Sequence, residues 1–300
     1  MSAFLQIDAA FEGFRITRER PKALLIWTVF SLIISMVTPV LLILLGLGDN
    51  LEALEATANS KSADPAAALE NLRNLLPFYA LLIPFSLTFQ SMIAAAIYRT
   101  VLHPEDSRLG YLRLGRDELR LVILSVIYTG LAVLAVFVVA LLGGIASAIA
   151  SKVGLSAPLI GIGLGFFLLG ILVYVAVRMS LAPIITFSEG RLAIFESWAL
   201  TRGHFWSITL SYLVAFFSVI AVILLATVIF MVLAAIAAGG NFEAVGALFK
   251  PDLSSLAAYF TPARVLYSML GALLTSIYYA VVIAPGALIY HSLNMAPAKS

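Results

Sequence analysis

Six runs of apolar residues dominate this chain, at about 23–47, 75–98, 121–150, 159–182, 205–238 and 265–290. Each is near or above the roughly 20 residues that a helix needs to cross about 30 Å of hydrocarbon. A chain built this way folds in a bilayer, and the expected class is all-α and polytopic. Composition agrees: 62% of the residues are hydrophobic and 11% are charged, against roughly 45–50% and 25% in soluble domains. No polar gap exceeds a few tens of residues, so no soluble domain is expected, and the chain reads as a single transmembrane domain over 1–300. The third and fifth runs are overlong, which predicts tilt or extension beyond the bilayer. Leu141-Leu142-Gly143-Gly144 could equally mark a break within the third.

The segments between the runs carry the remaining information. Residues 4–18 place Phe4, Ile7, Phe11 and Phe14 on one helical face and Asp8, Glu12, Arg15 and Glu19 on the other. That period predicts an amphipathic helix lying in the membrane interface, ended by Pro21. The first apolar run begins only after Pro21, and both signs of charge precede it, so no cleavable signal peptide is expected. Residues 49–74 are acidic on balance, with leucines spaced as in short helices on the outer surface. With the N-terminus inside, thirteen of the 18 lysines and arginines fall on the inner side. Trp27, Trp198 and Trp206 fall at the same interface. Cationic loops stay in the cytoplasm and aromatic belts mark the interface, so both termini are expected to be cytoplasmic.

Repetition then sets the expected architecture. Phe195-Glu196-Ser197-Trp198-Ala199-Leu200-Thr201-Arg202 matches Phe11-Glu12-Gly13-Phe14-Arg15-Ile16-Thr17-Arg18 at four positions, with two like-for-like exchanges. Leu109-Gly110-Tyr111-Leu112-Arg113-Leu114-Gly115-Arg116 is a weaker third copy that keeps the apolar positions and the final arginine. Each copy precedes a span. The even-numbered spans also share an ending, with Arg99 five residues before Pro104, Arg178 five before Pro183, and Ala280 in the same place before Pro285. The expected unit is a cytoplasmic interfacial helix, a span out and a span back. Three parallel hairpin repeats result, at about 4–104, 105–187 and 188–291, around a pseudo-threefold axis or in a serial row.

The run from Arg178 through Pro183, Glu189, Ala199-Leu200-Thr201-Arg202-Gly203 and Phe205-Trp206 resembles a known group. It is similar to the membrane domain attached to some bacterial glycerophosphodiester phosphodiesterases and to the related YciC-type inner-membrane proteins. The resemblance implies six helices in the bacterial inner membrane. It does not carry over phosphodiesterase activity, which would need a soluble barrel for which this chain has no room.

Few residues offer chemistry. With no cysteine, disulfides, thiolate metal sites and cysteine nucleophiles are excluded. The formal charge of +2 is too small to imply nucleic acid. Gln90 is the one strongly polar side chain well inside a span, read as an interhelical hydrogen bond. His103, His204 and His291 lie at the inner boundary without short metal-ligand spacing. Gly161 and Gly165 match the GxxxG spacing that lets helices pack closely, while Phe166 breaks the dinucleotide pattern. No catalytic, metal or cofactor residue is assigned, and the protein is expected not to be an enzyme. The candidate lipid- or partner-binding residues are Arg18, Arg99, Arg116, Arg178 and Arg202 with Glu189. They serve either as snorkelling and helix-capping cations or as a cytoplasmic ring for anionic membrane lipids or an acidic partner complex. The expected function is a non-enzymatic membrane organiser; the alternative is a transporter or lipid-moving protein with a cavity between repeats.

Overall fold

The computed structural model describes residues 3–59, 65–152, 157–246 and 248–295. Among them the chain is all-helical, with no strand. Six helices are long and apolar enough to cross a membrane. They are α2 (Pro21–Leu44), α4 (Pro65–Leu102), α5 (Arg116–Lys152), α6 (Ala157–Met179), α9 (Phe205–Ala237) and α12 (Pro262–Met295). Shorter helices fill the connections: α1 (Ala3–Glu19), α3 (Gly48–Asn59), α7 (Ala182–Glu189), α8 (Glu196–Leu200), α10 (Phe242–Gly246) and α11 (Leu256–Tyr259). Helix is what such sequence must adopt in lipid, because every peptide group there needs a partner inside its own segment. The 37-residue α5 runs unbroken through Gly143 and Gly144, so the alternative break there is not found. At 1.5 Å per residue it is about 55 Å long.

Packing is concentrated at one end, called proximal here because α1 and the connections 103–115 and 180–204 lie there. The main core joins Ala95 and Tyr98 of α4, Leu181 to Phe187 around α7, Ile208 of α9, and Ala287, Ile289 and Tyr290 of α12. A second cluster places Trp27 against Ile93, Ile97, Tyr111, Ala280 and Ala284. The returning helix of each expected hairpin thus brings its proximal end to the centre. Beyond this end α5, α6 and α9 are largely bare, while Leu42 of α2 and Leu75 and Phe78 of α4 form a smaller distal cluster. Each residue from Ile171 to Val175 exposes at least 40% of its surface. Five consecutive residues sweep more than a full helical turn, so among the described residues α6 is open on every side there, with Tyr174 alone meeting Trp198 and Phe205 at its edge.

Helix α1 differs from its expected role. Its buried residues are Ala9, Ala10, Glu12, Gly13 and Ile16, while Ile7 and Phe11 are exposed. The face built on Ala9, Ala10 and Gly13 meets the bundle, with Phe14 packed at its edge, while Ile7 and Phe11 stay exposed. It packs against α12 and α9. A Cβ on Gly13 would stand 2.3 Å from the Val281 Cα. Without a strong hydrophobic drive in lipid, backbones gain contact by approaching closely, and only small residues allow that. Glu12 is tolerated inside because Arg15 grips both of its oxygens, at 2.8 and 2.6 Å.

The other two pre-span segments are not copies of α1. Where a helix was expected over 108–118 there is a 3-10 turn at Arg108–Tyr111. Leu109, Gly110 and Tyr111 all hold left-handed backbone (φ 48, 62 and 67°). Trp27 and Arg99 take the carbonyls of Gly110 and Tyr111, which a helix would need. Over 190–202 only the five residues of α8 are helical, because Gly190 ends α7 in the left-handed region (φ 62°). The equivalence of three interfacial helices is therefore corrected.

Because Gly13 has backbone on the far side of the contact, Gly13→Leu should cost at least the roughly 1–3 kcal/mol typical of overpacking. Its thermal midpoint in mild detergent should fall by several degrees, and α1 should become cleavable by protease. Phe11→Ala, on the exposed side, should leave both unchanged.

Candidate functional site

The charged residues singled out from sequence gather at the proximal end, but they do not form one ring. Arg99 and Arg178 are buried, and Arg18, Arg116 and Arg202 are exposed. Arg18 sits in the last turn of α1, where a cation complements the helix dipole. Arg116 instead opens α5, the unfavourable end for a cation, with Asp117 and Glu118 beside it. Arg202 lies in the turn beyond Thr201, the cap of α8. Only Arg18 therefore stands in the last turn of a helix, and the expected common position of the three is corrected.

Arg99 is fully engaged. One terminal nitrogen donates to the Tyr111 carbonyl at 3.0 Å, and the other binds Glu118 and stands 4.0 Å from Asp117. Its guanidinium also lies 5.3 Å from the Phe187 ring centroid. Its carboxylate thus comes from the start of α5, not from Glu105 or Asp106 just downstream. Asp106 pairs with Arg113, and Glu105 stands 3.8 Å from His103. Glu118 is 1% exposed, and its second oxygen has no partner among the described residues. The same network fixes the 103–115 loop. Trp27 Nε1 donates to the Gly110 carbonyl at 2.7 Å. The Tyr111 hydroxyl donates to the Pro104 carbonyl at 3.0 Å, and Arg20 reaches the same carbonyl at 3.2 Å.

Arg178 is buried to a similar degree but has no acidic partner among the described residues. It keeps 6% of its surface, and its Nε is enclosed without a hydrogen bond. Its guanidinium lies over the Trp198 ring at 4.7 Å. Its carbonyl accepts from Ser197 at 2.7 Å, which ties α6 to α8. Tyr174 stacks edge-on against Trp198 at 5.7 Å and meets Phe205 at 5.2 Å; Phe205 in turn meets Trp206. Trp206 is 79% exposed. Glu189 does not serve Arg178, for it pairs with Arg191 at 2.6 Å. Arg191 also binds Glu196. That hydrogen bond holds the Glu196 carboxyl below its ordinary range and raises Arg191 above its own.

Arg18 borders a cleft of about 570 Å³ beside α1, shared with Asp8, Glu12, Arg15, Phe11 and Leu288. The three histidines are not gathered with carboxylates into a metal-holding group among the described residues. Gln90 is exposed on α4 and makes no hydrogen bond among the described residues, so its expected interhelical bond is absent. Gly165, with Gly163 and Gly170, has open space where a Cβ would stand. The close packing expected of Gly161 and Gly165 is thus not made within this chain at Gly165, and the side of Gly161 lies outside the described residues. Sequence reasoning missed Glu118 and Tyr111 as the partners of Arg99, and Trp27 as the partner of Gly110. The one available signal was the Asp117-Glu118 pair opening a long apolar run.

The fold and this end of it define an all-helical chain with six helices long and apolar enough to cross a membrane and a charged, internally bonded proximal end. No family model matches the chain, and neither a curated protein nor a solved structure does.

Removing one partner of a buried pair leaves an uncompensated charge, at a cost of about 3–5 kcal/mol. Glu118→Gln should therefore unfold the proximal end at markedly lower temperature, and Arg99→Met should do the same. The Arg99→Met/Glu118→Leu double variant should lose less than the sum of the two singles, as a thermal-melt cycle in detergent will read.

Proposed function

We infer that this is an integral membrane protein of the bacterial inner membrane that holds anionic lipid, or a partner membrane complex, at its cytoplasmic face. It does so without catalysis. The observation that carries this reading is the exposure of Arg18, Arg116 and Arg202 at the end where the core and both buried arginines lie. Cations next to an anionic leaflet gain about 1 kcal/mol each. Exposed Ile7, Phe11, Leu109, Leu114 and Trp206 share that end, supplying apolar contact at headgroup depth. The bare α6, with Gly163, Gly165 and Gly170 open, favours a further helix as partner, since glycines admit close approach. The membership suggested by the YciC-type resemblance belongs to this proposal, as does descent from three hairpin repeats. Convergence of the returning helices in one core supports the latter.

A second reading, transport or movement of lipid, has its own support. A groove of about 300 Å³ between α2, α4 and α12 is lined by Ser31, Ser35, Ser268, Thr275, Tyr267 and Arg264. Hydroxyls there offer polar contacts inside an otherwise apolar bundle.

The orientation is checked by single cysteines, which no native thiol confuses. Ser254→Cys should react with an impermeant thiol reagent on intact spheroplasts, and Ser107→Cys only after permeabilisation. The reverse pattern would invert the protein. Binding is checked by the triple variant Arg18→Lys, Arg116→Lys and Arg202→Lys, which keeps charge but removes the planar fork that grips phosphate or carboxylate twice. It should insert and melt as the parent does but lose most co-purifying anionic lipid or partner. Full retention of both would reduce these arginines to topology signals.

A further inference from the structure

Resting on the lipid-binding reading above, we propose that Arg178 anchors a site for a phosphate ester anion, supplied by an anionic lipid headgroup at the proximal surface. Arg99 and Arg178 hold the same place, five residues before a proline at the end of a returning span. Both are about nineteen-twentieths buried. Arg99 has Glu118, Asp117 and a backbone carbonyl to answer its charge, whereas Arg178 has a tryptophan face. The register explains the difference. Glu118 stands two residues after Arg116, and the residue two after the aligned Arg202 is His204. A group that can only be neutral or cationic thus occupies the position from which Arg99 draws its carboxylate.

The neighbouring carboxylates do not replace it, because Glu189 and Glu196 both bind Arg191. A buried lysine could lose its proton, but a guanidinium does not deprotonate in proteins. Its charge calls for an anion, and none of the described residues supplies one. A phosphate fits best, because two oxygens meet the planar fork in parallel. A lipid is the source that suits the surroundings. Tyr174, Trp198 and Trp206 are half-exposed or exposed rings with apolar bodies and polar edges, the residues that sit at headgroup depth. From Arg178 the uncovered apolar surface of α6, from Val175 back to Phe166, runs on as a bed for acyl chains.

The test uses the full chain, purified and stripped of lipid in mild detergent. Its probes are dioctanoyl-phosphatidylglycerol, dioctanoyl-phosphatidylcholine and inorganic phosphate, read by binding and by thermal midpoint. The parent should bind phosphatidylglycerol and gain several degrees, with little gain from phosphatidylcholine. Arg178→Met should bind it at least tenfold more weakly, and Arg178→Lys should fall between. Because an uncompensated buried charge is removed, Arg178→Met should melt without lipid at the parent temperature or above it, unlike Arg99→Met. A purely structural arginine would instead cost lipid-free stability. An equal gain from millimolar phosphate would support the anion site and move its source from lipid to soluble phosphate. Unchanged phosphatidylglycerol affinity in Arg178→Met would overturn the proposal, and so would failure of that variant to fold. The triple lysine variant should keep this site, so its loss of bulk anionic lipid and the loss of this site report separately.

Discussion

The ion pair between Arg99 and Glu118 is what the proximal end is built around. It joins the end of α4 to the start of α5, and through the Tyr111 carbonyl it holds the loop between them inside the bundle. Taking two charges out of water costs several kcal/mol per ion, which the pair recovers only with good geometry and further hydrogen bonds. Net stability is therefore not its main product. Its consequence is position: three consecutive left-handed residues stay in place because Arg99 and Trp27 hold their carbonyls. Residues held in such sparsely populated regions persist only where their surroundings over-determine them.

Lipid as solvent explains why most of the remaining packing sits at the same end. Apolar side chains gain little by leaving hydrocarbon, so helices associate through close backbone approach and polar contacts. The proximal half supplies both. Gly13 and its neighbouring alanines bring α1 against α12, and Ala280, Ala284 and Ala287 present a small-residue face in return. The distal halves of α5, α6 and α9 supply neither, and they stay bare.

Six spans and their helical state were legible because run length against bilayer thickness is a nearly sufficient signal. The proximal location of the charges was legible too, since both cue and structure depend on where cations are tolerated. Helix α1 was misread because hydrophobic periodicity ranks faces by apolarity, while packing in lipid ranks them by size. Ala9, Ala10 and Gly13 outweighed Phe11 for that reason. The weaker copy at 109–116 departs for a different one. Its similarity lies in apolar spacing and a final arginine, but helix there depended on distant donors. Trp27 and Arg99 competed for the carbonyls at 110 and 111, and nothing within eight residues of sequence records that competition.

The groove beside α12 sets the limit on a transport reading. Its hydroxyls end at Ser31 and Ser276, which are buried and bonded to each other at 3.1 Å. Proximal to that pair, Trp27, Ile93, Ile97, Ala280 and Ala284 form a dry cluster. A solute path across the membrane would have to open this cluster, and with it the α2–α12 contact that carries it. Trp27 against Ala280 and Ala284, with one interhelical hydroxyl pair, makes that contact, and such hydroxyl bonds contribute only about 0.6 kcal/mol on average. The barrier to parting α2 from α12 is therefore one of packing, whereas the Arg99 network beside it is one of charge. The two are not separable, because Trp27 of α2 also holds the Gly110 carbonyl, so a shift of α2 would loosen the loop that Arg99 anchors.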